Sequence, residues 1–223
     1  MFGFKQRQRD LLRATPLPRG WLKIIEHNVP FYRCLPEADQ RELQCHIQVF
    51  LTEKYFEGCG GLQVTDEIKV TIAAQACLLL LHRDTDYYPT MKSILVYPST
   101  YIAHVTESMG NGLVQEGDSV RLGESWHRGA VVLSWDDVLC GAADIHDGHN
   151  VVLHEFAHQM DQEGGAAHGS PILPRRLMYV AWARVLGAEY VHLQQDAEHG
   201  RRTVLDKYGA TNPAEFYYSK LFR

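Results

Sequence analysis

The chain has 223 residues, 45% of them hydrophobic and 22% charged, with a formal net charge of −5 and a pI of about 6.2. That length supports one sizeable core or two small lobes. The acidic balance argues against nucleic-acid binding as the main task. No apolar run approaches the roughly 18 residues of a membrane span, and the longest, residues 72–81, is interrupted by Gln75.

The N-terminus, Met1-Phe2-Gly3-Phe4-Lys5-Gln6-Arg7, carries charge with no long apolar segment behind it, so no secretory signal is expected. Residues 1–15 read as a partly ordered basic arm or short helix, closed by Pro16 and Pro18. This basic stretch, Arg175-Arg176 and Arg201-Arg202 are expected to be solvated faces. The five cysteines, Cys34, Cys45, Cys59, Cys77 and Cys140, are odd in number and form no C-x-x-C pair. Reduced thiols in a cytoplasmic protein are the expectation, with Cys77 a small core residue.

Residues 21–27 read as a short helix. A longer one follows over 36–55: Pro36 suits its first turn, acidic Glu37 and Asp39 come next, and Leu43, Ile47, Phe50 and Leu51 form an apolar stripe. Residues 56–61 read as a glycine-rich turn, and they lack the lysine and hydroxyl residue of a phosphate-binding loop. Thr65-Asp66-Glu67 opens a helix expected to reach about His82. Its residues are apolar nearly all round, which belongs at the centre of a core. Strands are expected at 93–97, 101–106 and 129–135, the last as an edge able to align an extended peptide. Asp136 and Asp137 start a short helix, 177–193 is helical, and Asn212-Pro213-Ala214-Glu215 is a strong helix start. No internal repeat is evident.

The informative stretch is Val151-Val152-Leu153-His154-Glu155-Phe156-Ala157-His158-Gln159-Met160-Asp161, which contains H-E-x-x-H. On a helix, residues four apart share a face, so His154 and His158 present their imidazoles side by side. Two imidazole nitrogens at that spacing suit one Zn²⁺, and Glu155 reaches the edge of such a site as a general base toward water. The surrounding residues are apolar, and buried histidines and a glutamate are costly unless something satisfies them. His146 and His149 in the preceding loop read as helix-entry residues rather than ligands.

A catalytic zinc needs a third protein ligand. The longer H-E-x-x-H-x-x-G-x-x-H pattern fails, because Asp161 and Gly164 stand where its Gly and His belong. The candidates are Asp161, His168, His192 or a carboxylate from a later helix. Glu215 is the best placed of these, set against the alternative of a simple capping glutamate.

These stretches together resemble the Mlc titration factor A family of zinc-dependent peptidases. The resemblance is carried by residues 72–81, 94–98, 132–138, 147–161 and 208–216, and covers most of the chain from about residue 20 to residue 216. It implies a mainly helical α+β fold with a small mixed β-sheet and a gluzincin-type zinc metallopeptidase core. Residues 1–90 would form a helical part packed on a catalytic core at 91–223. His154, His158 and Glu215 would be the metal ligands, Glu155 the general base, and Tyr208 a phenol facing the open side of the zinc. Asp161 would hold a ligand imidazole. The expected partners are a peptide or protein substrate and a glucose-responsive transcriptional repressor of the Mlc type, with no direct nucleic acid and no membrane. The family continues after this motif with a long helix. Here Phe216-Tyr217-Tyr218-Ser219-Lys220-Leu221-Phe222-Arg223 follows Glu215, so only about three turns are expected.

Overall fold

The computed structural model describes residues 2–99, 101–108, 114–121, 123–126, 129–144, 149–163, 169, 173, 175–201, 203 and 207–221. Within them, the side chains of residues 2, 101–126, 207, 208 and 219–221 fall outside the description. The fold is mainly helical α+β with a small sheet, as expected. In chain order come α1 (Phe2–Ala14), α2 (Arg19–Asn28), a 3₁₀ turn (Pro30–Cys34), α3 (Glu37–Glu53), β1 (Tyr55–Gly58), α4 (Asp66–Leu78), β2 (Ser93–Tyr97), β3 (Tyr101–Ser108), β4 (Val114–Arg121), β5 (Gly123–Trp126), β6 (Ala130–Ser134), α5 (Trp135–Ala143), α6 (Val151–Gln162), α7 (Arg176–Glu198), a second 3₁₀ turn (Lys207–Ala210) and α8 (Pro213–Leu221).

The main sheet runs β1-β2-β6-β5. The first two pairings are parallel, with Tyr55 opposite Ser93 and Ser93 opposite Ala130; β5 is antiparallel to β6. β3 and β4 form a separate antiparallel hairpin. Two expectations are corrected here. Residues 56–58 are not a turn but part of β1, which α4 connects to its parallel neighbour. Strand β6 is not an edge, because β2 and β5 flank it; the outer position belongs to β5.

One core joins α3, α4, β2, β6 and α6. Leu43, Ile47 and Phe50 meet Ile72 and Ala76, Ile94 and Val96, Val131 and Leu133, and Val152 and Phe156. Each large apolar side chain so buried contributes about 1.5–3 kcal/mol. Phe50, Tyr88 and Phe156 pack their rings at centroid distances of 4.9–6.3 Å, in the edge-to-face range. Helix α4 is buried nearly all round, as its composition requires. It stops four residues short of His82, which takes a left-handed φ of 58°.

Residues 2–14 form a helix, the second of the two expected readings of this segment, and Arg9 on it is not a solvated charge. Its guanidinium donates to both oxygens of Glu53 at 2.6 and 2.9 Å, reaches Asp86 at 2.6 Å, and lies 4.8 Å over the Tyr87 ring. Paired and stacked, this arginine can be buried without an uncompensated charge. Among the described residues, no helix is long and apolar enough to cross a membrane.

The core also sets the direction of α6. Val152 and Phe156 enter it, which turns the opposite face, with His154 and His158, outward toward α8. Asn150 caps the helix, its Oδ1 accepting from Leu153 N at 2.8 Å. The Asn150 Nδ2 donates to Gln75 Oε1 and to the Gly141 carbonyl, and Gln75 Nε2 donates to Thr71 and Val138 carbonyls. Gln75, which interrupts the apolar run of residues 72–81, is thereby the anchor for the start of α6.

Candidate metal centre

Three elements of local sequence assemble the site. On α6, the four-residue spacing places the His154 and His158 rings 4.7 Å apart. Ala157 lies between them in sequence, and this small side chain packs against Tyr217 and Tyr218 of α8, so the two helices approach closely. On α8, Asn212 Oδ1 accepts from Glu215 N at 3.0 Å, as the N-cap pattern predicts, and Pro213 occupies the first helical position. Helix α7 supports α8 from behind through Trp182 against Tyr217 and Tyr190 against Phe216.

This packing brings Glu215 to both imidazoles. The two Nε2 atoms stand 3.1 Å apart. Glu215 straddles them, Oε2 lying 3.3 Å from His154 and Oε1 3.5 Å from His158. A tetrahedral zinc with bonds of about 2.0–2.1 Å holds its ligand atoms about 3.4 Å apart, and the three observed separations bracket that value. Two imidazole nitrogens facing each other also need a proton or a cation between their lone pairs. The donor set therefore fits a zinc-sized ion. Solvent reaches it from the side of His154, whose side chain is 30% exposed against 15% for His158 and 11% for Glu215.

The electrostatics separate the two histidines. Burial, with the neighbouring charge of His154, pushes His158 down to about 4, leaving a neutral ring. Burial also opposes charge on His154, but the hydrogen bond to Glu215 and the charge of Glu155 outweigh it and hold His154 above the ordinary histidine value. Glu155 is itself buried and close enough to act on His154.

The remaining candidates divide. Asp161 lies one turn beyond His158, with its Oδ2 accepting from Gly169 N at 2.8 Å and from the Tyr218 hydroxyl at 2.9 Å. His192 is exposed on α7, and His149 is exposed ahead of α6. His146 and His168 lie outside the described residues. Tyr208 sits in the second 3₁₀ turn, and its side chain also lies outside the described residues.

One residue escaped the sequence reading. Tyr218 is fully buried, with its ring 3.9 Å from that of His158 and 5.7 Å from that of His154. The available signal was its spacing, three residues after Glu215 on the same helix face.

Residues 4–219 match the family described as glucose-regulated metallo-peptidase M90. The chain is 42% identical over 212 residues to an uncharacterized protein of Synechocystis sp., covering 95% of this chain and 77% of that one. It is 32% identical over 194 residues to Mlc titration factor A of Serratia proteamaculans, covering 85% and 72%. With Mlc titration factor A of Shigella dysenteriae the identity is 28% over 222 residues, covering 97% and 80%.

Proposed function

Because this chain belongs to the glucose-regulated metallo-peptidase M90 family, we propose that it is a zinc-dependent peptidase of the cytoplasm, with His154, His158 and Glu215 as the gluzincin-type ligand set. The observation that carries this reading is the convergence of three metal-ligating side chains from two helices, with their nearest ligand atoms 3.1–3.5 Å apart. When bound, zinc supplies Lewis acidity, polarising a carbonyl and acidifying a water. Glu155 is the base that takes the nucleophilic water's proton and returns it to the leaving amine. Tyr208 is assigned the hydrogen bond to the oxyanion that develops on the scissile carbonyl. The substrate is an extended peptide added along the outer side of β5, a placement supported by the edge position of that strand and its course beside α6.

The names of two relatives support a second role, capture of a transcriptional repressor of the Mlc type. Glu155→Ala separates the two. A zinc-loaded variant that binds repressor but no longer cleaves a fluorogenic peptide panel assigns both activities. Wild-type protein that carries no zinc and cleaves no peptide, with or without added metal, rejects the peptidase.

A further inference from the structure

The ligand set draws two members from α6 and one from α8, a helix of nine residues. Its strength as a metal site depends on how firmly α8 is registered against α6. Ring packing of Tyr217 and Tyr218 on Ala157 is apolar and weakly directional. Apart from the Glu215 contacts to the two histidines, a side-chain hydrogen bond between the two helices runs from the Tyr218 hydroxyl to Asp161 Oδ2 at 2.9 Å. Both ends are buried: Tyr218 is 0% and Asp161 2% exposed.

We infer that Tyr218 is a positioning residue that holds Glu215 opposite the two imidazoles by fixing α8 to Asp161 of α6. The inference rests on the reading of His154, His158 and Glu215 as a metal centre. Tyr218 follows Glu215 by three residues, so both side chains leave α8 toward α6. The Tyr218 ring covers His158, limiting the rotation of that imidazole. Its hydroxyl then sets how far α8 slides along α6. The Asp161 oxygen it binds also takes the Gly169 amide. The backbone of Gly169 in turn accepts from Trp182 Nε1 at 3.1 Å, which brings α7 into the same clamp. Outer partners of this kind typically change metal affinity ten- to a hundredfold, about the scale expected here.

The test is zinc affinity, measured by competition with a chromophoric chelator on Tyr218→Phe, Asp161→Ala and the double variant, beside the thermal stability of each apo protein. Tyr218→Phe keeps the ring and removes only the hydroxyl. The expected result is zinc binding about ten- to a hundredfold weaker, with the double variant no weaker than Asp161→Ala. A general packing role would lower apo stability without this non-additive loss of zinc. Wild-type affinity retained in Tyr218→Phe overturns the inference while the metal centre stands, as do losses that simply add in the double variant. Absence of zinc binding in the wild-type protein overturns the metal centre itself. If Tyr218→Phe does not fold, unaltered zinc affinity in Asp161→Ala has the same overturning force.

Discussion

Asn150 Nδ2 donates to Gln75 Oε1 at 2.7 Å across 75 positions of sequence, joining the first residue before α6 to the last turn of α4. The same asparagine caps α6 and binds the Gly141 carbonyl, so one side chain sets where the histidine helix begins and what it leans on. Asn150→Ala removes the cap and strands a buried Gln75 oxygen. The expected cost is about 2–4 kcal/mol, the cap contributing about 1 and the lost buried partners the remainder. Urea denaturation measures it. A loss no larger than that of an exposed cap would show that Gln75 finds another donor.

Metal binding should appear as stability. Zinc at about a hundred times its Kd stabilises a native state by about 2.7 kcal/mol. Wild-type protein is expected to melt higher with zinc and lower after chelation. Glu215→Ala, which removes the proposed α8 ligand, should lose that difference. A zinc-dependent shift of equal size in Glu215→Ala would place the ion elsewhere.

Gly169 has a left-handed φ of 72°, and a Cβ there would lie 2.6 Å from the Pro213 carbonyl oxygen. Pro213 opens α8, so the obstruction falls on the helix that presents Glu215. Gly169→Ala is expected to cost about 1–3 kcal/mol from strain and displacement and to weaken zinc binding as well. Chelator competition and thermal melts on the same variant test both effects. Unchanged zinc affinity would mean that the α8 start moves without its third residue.

The Arg9 cluster predicts an acid limb to stability. Burial alone would raise the Glu53 carboxyl, but the hydrogen bonds and charge of Arg9 outweigh it and hold Glu53 below its ordinary value; Asp86 is lowered in the same way. A carboxyl lowered on folding stabilises fully above its unfolded pKa, and that contribution fades as pH falls through the lowered folded value. Arg9→Met should therefore cost about 1–3 kcal/mol near neutrality. The gap from wild type should shrink below the ordinary glutamate pKa of 4.5. Denaturant melts near neutrality and in acid check this, and a gap independent of pH would assign the loss to packing on Tyr87 instead.

Much of the fold was legible because local patterns match local structure. The apolar stripe of α3, the apolar run within α4, the Asn-Pro-Ala-Glu start of α8 and the H-E-x-x-H spacing each need only a few neighbouring residues to be understood. The boundaries were less legible. The end of α4 depends on a left-handed His82 in the turn that follows. Strand β1 is four residues with little burial, and its pairing with β2, not its composition, makes it a strand. Arg9 looked like any surface cation because its partners lie 44 and 77 residues away.

The sequence by itself determined the chemistry on offer: two imidazoles one helical turn apart, a neighbouring carboxylate, and a later capped helix opening on Glu215. Helical periodicity and capping are short-range, so a reader of residues can see them. Tertiary structure alone decided that Glu215 meets both imidazoles, that Tyr218 lies over His158 and reaches Asp161, and that β5 rather than β6 forms the outer strand. Those relations depend on which faces of distant elements pack together, and that is set by the shared core and by close contacts such as the one at Ala157, not by any local run of residues.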